Sequence, residues 1–91
     1  MNYKLIYTQS YNRRAAKFLK NHPELTGQYE KTLKLLELDP FHPSLRLHPL
    51  KGKLKDLSSV SINVSYRITL EFYMNEQEII LVNVGHHGDV Y

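Results

Sequence analysis

Residues 66–84 read YRITLEFYMNEQEIILVNV, and the fold follows from how they divide. Tyr66, Ile68, Leu70 and Phe72 alternate with Arg67, Thr69, Glu71 and Tyr73. A period of two puts the first set on one face of a strand and the second on the other. Met74-Asn75-Glu76-Gln77 is a polar break suited to a hairpin turn. Glu78 to Val84 is a second strand, apolar from Ile79 onward except at Asn83, which predicts a buried one. Such a hairpin needs another layer to cover its apolar face.

The segments before it supply that layer. Ser59 to Val64 alternates, with Val60, Ile62 and Val64 on one face, and predicts a third strand. In residues 44–57, SLRLHPLKGKLKDL, Leu45, Leu47 and Leu50 are apolar anchors among Arg46, His48, Lys51, Lys53 and Lys55, and Lys51-Gly52-Lys53 predicts a tight turn. Tyr11, Ala15, Phe18 and Leu19 fall at i, i+4, i+7 and i+8, one stripe of a helix that Ser10 is placed to cap. Arg13, Arg14, Lys17 and Lys20 occupy its other faces, either as a solvated surface or as a ridge contacting phosphates. Asn21-His22-Pro23 breaks that helix. A second helix is predicted over Glu24 to Leu38, with Leu25, Tyr29, Leu33 and Leu36 buried and Thr32 and Leu35 at the margins. Asp39-Pro40-Phe41-His42-Pro43 ends it, since proline cannot continue a helix. Residues 2–8, NYKLIYT, read as a first strand. The expectation is one α+β domain over residues 1–91, in two layers and in the order β-α-α-β-β-β. An N-terminal strand precedes a two-helix hairpin and a three-stranded antiparallel meander.

Composition narrows the function. The chain has 91 residues, a formal charge of +3 and no cysteine. Without cysteine there is no disulfide framework, thiolate nucleophile or thiolate metal site. The modest cationic excess favours a polyanion or an acidic partner. The start, MNYKLIYTQS, lacks the apolar core of a secretory signal, and no apolar run approaches the ~20 residues that span a bilayer. A cytoplasmic protein without membrane contact is expected.

Chemistry gathers at the end of the last strand. Residues 81–91, LVNVGHHGDVY, follow a strand with two imidazoles, an acid and a phenol. Pairing across a hairpin centred near Asn75 brings Gly85 and the histidines close to Arg67. If the stripe from Tyr66 to Phe72 meets the helices, Arg67 points to the open face. A cation beside imidazoles suits phosphoryl chemistry on RNA. A base takes the proton of a ribose hydroxyl, an acid protonates the leaving oxygen, and the cation stabilises the charge that builds on phosphorus. His48 and His87 fit the base and acid, and Arg67 the cation. Tyr91 offers a stacking surface, and Lys51, Lys53 and Lys55 offer backbone contacts. Each residue also has a structural reading. His86 and His87 can cap a strand, Arg67 can pair with Glu71, His48 can be a loop residue before Pro49, and Tyr91 can be a frayed end. His86, His87 and Asp89 do not have the spacing of a known metal motif, so no metal or cofactor is expected.

The element order, HPLKGKLKDL at 48–57, Tyr66-Arg67-Ile68 and GHHGDVY at 85–91 together resemble the RelE/ParE superfamily of type II toxins, and most of all its YafQ-like mRNA interferase branch. The resemblance covers the whole chain. It implies a ribosome-dependent endoribonuclease that cleaves mRNA on the 70S ribosome, and a cognate antitoxin that binds the toxin as a hetero-oligomer. By position, His48 matches the histidine of an H-P-L-x-G motif and His87 the catalytic histidine near the end of the chain. Tyr91 matches the terminal aromatic, and Arg67 the arginine of the Y-R-[IVL] strand. His86 lies where relatives carry other polar residues. Ser61 and Ser65 stand where the YafQ-like branch has a further histidine and an aspartate, and Asn83 stands where an arginine is expected. Two other readings share the resemblance: a ParE-like inhibitor of DNA gyrase, and a catalytically silent module that binds RNA or the antitoxin.

Overall fold

The computed structural model describes residues 2–52 and 56–86. Strand β1 spans Lys4–Ile6, helix α1 Gln9–Asn21 and helix α2 Thr26–Leu38. Strands β2 (His48–Pro49), β3 (Ser58–Ser61), β4 (Tyr66–Tyr73) and β5 (Glu78–His86) follow. They form one five-stranded sheet in the order β1-β5-β4-β3-β2. The pairs from β2 to β5 are antiparallel, and β1 joins β5 in parallel. The helical pair carries the chain from β1 at one edge of the sheet to β2 at the other, and the antiparallel run then returns strand by strand to β5 beside β1. The expected α+β order therefore holds, with one addition. His48–Pro49 is a two-residue edge strand because His48 and Pro49 pair with Ser59 and Ser58.

The core lies between helices and sheet. Tyr11, Ala15 and Phe18 of α1, and Tyr29, Thr32 and Leu36 of α2, are buried. They meet Val60, Ile68, Leu70, Ile79, Leu81 and Val84 of the sheet. Thr32 sits inside this layer, not at its margin, because its hydroxyl donates to the Gln28 carbonyl at 2.8 Å and its methyl remains to pack. Tyr11 and Tyr29 join the helices through a hydroxyl pair 2.6 Å apart.

Three boundaries differ from expectation. The cap of α1 is Thr8, not Ser10; its Oγ1 accepts from the Tyr11 amide at 3.0 Å. The second helix begins at Thr26, because Pro23–Leu25 forms a separate 3-10 turn. The third expected strand stops at Ser61, and Val64 lies beyond it, 92% exposed, not on one strand face with Val60. Asn63 explains this. Its Oδ1 accepts from the amides of Ser65 and Tyr66 at 2.8 and 2.9 Å, closing the turn into β4 with Val64 at its tip.

A bulge shapes the end of the sheet. Thr69 pairs with Asn83, but Leu70 pairs with Leu81, so β5 carries one extra residue at Val82. Leu81 and Val84 are three apart, yet both are buried; simple alternation would turn one of them outward. The same shift brings Gly85 opposite Arg67 and His86 opposite Tyr66. The strand is not buried throughout, since Ile80, Val82 and Asn83 are half-buried. At the far side of the residue 44–57 segment, Gly52 has a left-handed φ of 68°, as a tight turn requires. Lys53 lies outside the described residues.

Candidate active site

Alternation in β4 sorts its side chains. Tyr66 and Ile68 face the helices, and Arg67 and Thr69 take the opposite face. On neighbouring strands that face carries Ser61 and Ser59, paired with Arg67 and Thr69, and Gly85 and Asn83 on the other side. It is more polar than the helix-facing side, yet its centre is not open to water. Ser59 is 0% exposed and Arg67 8%.

A buried guanidinium needs partners. Arg67 Nε donates to Ser59 Oγ at 2.9 Å, and Nη2 donates to the Arg46 carbonyl at 3.0 Å. The same Nη2 stands 3.1 Å from His48 Nδ1. Arg67 thus ties the edge segment 46–48 to the central strand. Arg46 has a left-handed φ of 50°, which turns its carbonyl toward this cluster at the end of the 3-10 turn Pro43–Leu45. Arg67 is not organised around Glu71, whose Oε2 accepts from the Tyr73 hydroxyl at 2.7 Å.

His48 is exposed, although its Nδ1 is engaged. That nitrogen is 3.1 Å from the Arg46 carbonyl as well as from Arg67 Nη2. The two neighbours select opposite tautomers. A proton on Nδ1 donates to the carbonyl and leaves the lone pair on Nε2; a lone pair on Nδ1 accepts from Arg67 and leaves the proton on Nε2. Nε2 therefore presents a lone pair in the first tautomer and an N–H donor in the second.

The remaining expected residues divide. Lys51 is exposed just beyond β2. Lys53, Lys55, His87 and Tyr91 lie outside the described residues. His86 is exposed at the end of β5 and stands edge-on to Tyr66, with ring centroids 5.7 Å apart. It therefore belongs to the helix-facing side, and its imidazole is not grouped with Arg67. The hairpin arithmetic brought Gly85 and Arg67 together correctly, but pleating sends His86 the other way.

Residues missed in the sequence complete the cluster. Ser59 is the buried acceptor for Arg67, and strand parity with Val60 was the available signal. The Arg46 carbonyl had no sequence signal, because its role comes from a backbone turn. Thr69 is 2% exposed, and its hydroxyl has no hydrogen-bond partner among the described residues. No group of three or more His, Cys, Asp or Glu side chains among the described residues is placed to hold a metal. No helix among them is long and apolar enough to cross a membrane.

No family model matches the chain, and no curated protein matches it by sequence. Solved structures do match. YafQ from Escherichia coli superposes with a TM-score of 0.79 at 12% identity, covering 98% of both chains. The same protein in the DinJ-YafQ toxin-antitoxin complex gives 0.78 at 12%, covering 100% of this chain and 99% of that one. A YoeB/ParE toxin from Agrobacterium tumefaciens gives 0.73 at 18%, covering 92% and 98%. A copper-bound mutant toxin from Helicobacter pylori gives 0.68 at 26%, covering all of both chains. These structures share the strand, helical pair and continuous sheet described above, and the chain has the fold of the RelE/ParE-type toxins.

Proposed function

We propose that this chain is the toxin of a type II toxin-antitoxin pair and an endoribonuclease that cleaves mRNA on the ribosome in the cytoplasm. The observation that carries the reading is the His48 ring, exposed on the open face and held at Nδ1 between Arg67 and the Arg46 carbonyl. A gyrase inhibitor has no need of a fixed proton-transfer group; RNA cleavage does. The fold shared with YafQ supports the reading, and the DinJ-YafQ complex supports an antitoxin as partner.

In this mechanism a histidine base removes the proton of a ribose 2′-hydroxyl. The 2′-oxygen attacks phosphorus in line, and the bond to the 5′-oxygen breaks. A second histidine protonates that oxygen, leaving a 2′,3′-cyclic phosphate. His48 and His87 share these roles, and the His48 tautomer with its proton on Nδ1 leaves Nε2 free to act as the base. Arg67 lends positive charge to the face and fixes the histidine; Lys51, Lys53 and Lys55 contact the backbone, and Tyr91 stacks on a base. The chemistry asks for no metal or cofactor.

One observation favours a catalytically silent binding module. Ser61 donates its hydroxyl to the Asn63 carbonyl at 2.6 Å, and Asn83 Oδ1 accepts from the Val84 amide at 2.9 Å. Two positions expected to carry ionisable groups thus serve the local backbone. The test is mRNA cleavage on programmed ribosomes by the native chain, His87→Ala and Arg67→Ala, with folding checked by circular dichroism. Cleavage by the native chain that both folded variants lose is the expected result. Growth arrest without cleavage would move the target to gyrase, and neither cleavage nor arrest would leave the silent module.

A further inference from the structure

A cavity lies on the helix-facing side of the sheet, away from Arg67. It is a groove of about 580 Å³ between α1 and the ends of β4 and β5, within the size range of small-ligand clefts. Arg14, Lys17 and Asn21 reach it from α1, and His22, Tyr66 and His86 close its other end. The first three fall at i, i+3 and i+7, so they share one helix face. No acidic residue lines the groove among the described residues. Glu24 Oε2 stands 3.7 Å from His22 Nδ1.

The rings form a continuous set. Tyr66 is 4.7 Å from His22 and 5.7 Å from His86 between centroids. Buried Phe18 lies beneath, 4.9 Å from His22 and 5.3 Å from Tyr66. Arg14 Nη1 donates to the carbonyl of the bulge residue Val82 at 3.3 Å, which directs its guanidinium along the groove wall.

We propose that this groove binds one nucleotide of single-stranded RNA, its phosphate against Arg14 and Lys17 and its base against Tyr66 and His86. Two cations, with no carboxylate among the described lining residues, select an anion. An acidic peptide would answer the cations but not the flat rings or the side-chain amide of Asn21. A nucleobase offers a π face to the rings and a donor-acceptor edge to that amide. The groove meets the Arg67 face at the ends of β4 and β5, where Tyr66 and His86 turn one way and Arg67 the other. This extends the RNA-cleavage reading to a contact for a nucleotide beside the cleaved one, but its readout is binding alone.

The test uses fluorescence anisotropy of the full chain with a labelled 2′-O-methyl hexaribonucleotide, which lacks the attacking hydroxyl and cannot be cleaved. The Arg14→Ala/Lys17→Ala double variant is compared with Arg13→Ala/Lys20→Ala, which removes the same charge from α1 outside the groove. The groove variant is expected to bind at least tenfold more weakly, and to flatten the slope of log K against log salt by ~0.7, one single-strand phosphate contact. The control pair is expected to stay within threefold. His86→Ala is expected to weaken binding at least threefold. Competition separates the possible sources: uridine monophosphate should displace the probe and ribose 5-phosphate should do so poorly. Equal weakening by both double variants would reduce the effect to net charge and overturn the proposal. No weakening by the groove variant, or equal competition by ribose 5-phosphate, would overturn it too. Loss of ribosomal cleavage activity would fail the functional reading without touching these results.

Discussion

Tyr66 and Arg67 are neighbours in one strand and face opposite environments. Ile68, beyond Arg67, enters the apolar layer under the helices, where burial alone holds the fold. Arg67 enters a buried polar cluster, where every donor needs a specific acceptor. The helix-facing side of β4 tolerates any packing that fills the space. The other face holds one guanidinium in one geometry and passes that geometry to His48. Stability is concentrated on the first face, and the capacity for chemistry on the second.

Substitutions can break that contrast. Ile68→Ala removes a fully buried side chain and is expected to cost about 3 kcal/mol in chemical denaturation, while the folded fraction keeps its full cleavage rate. Ser59→Ala on the opposing face deprives Arg67 Nε of its acceptor. It is expected to cost about 2 kcal/mol and, unlike Ile68→Ala, to slow cleavage per folded molecule. A loss of specific activity in Ile68→Ala equal to that in Ser59→Ala would dissolve the contrast.

A pH measurement sharpens the apolar side. Burial, above all, raises the Tyr11 hydroxyl pKa well beyond its ordinary value, and its contact with Tyr29 adds to this. Burial likewise raises that of Tyr29. The unfolded chain loses these protons near pH ~10, and the folded chain holds them to higher pH. Their contribution to stability is therefore full below pH ~10 and falls as the pH rises above it. Denaturation midpoints followed from pH 8 to 11.5 should drop beyond pH 10, and Tyr11→Phe should flatten the drop. The smallest effect is expected at Thr69, whose buried hydroxyl has no partner among the described residues. Thr69→Val replaces it with a methyl group and is expected to leave stability unchanged or raise it by up to about 1 kcal/mol.

The layers were legible in the sequence because burial has a period. Tyr11, Ala15 and Phe18 announced a helix, and Tyr66 through Tyr73 a two-faced strand. Turn chemistry was read less well. Asn63 sits within an alternating run whose period hides the turn it makes, so Val64, expected on one strand face with Val60 and Ile62, lies exposed at the turn instead. The pairing of Gly85 with Arg67 followed from counting across the hairpin, but the direction of the His86 ring depends on the bulge at Val82, and an inserted residue leaves no periodic trace. His48 and Arg67 were singled out from residue type and resemblance. That they touch, through a carbonyl turned by the left-handed Arg46, is a tertiary fact absent from local pattern. His22, a helix-breaking residue in the sequence, stands in the ring set of the groove.

The central claim is that Arg67 and His48 act as one unit on the open face. The most direct test is a double-mutant cycle on ribosomal mRNA cleavage with His48→Ala, Arg67→Lys and the pair. Lysine keeps the charge but cannot reproduce the forked contacts to Ser59 and Arg46. If Arg67 works through His48, each single variant loses about 10²-fold or more and the double variant is little worse than His48→Ala alone. Losses that multiply, or a His48→Ala chain that cleaves at the native rate, would contradict the account.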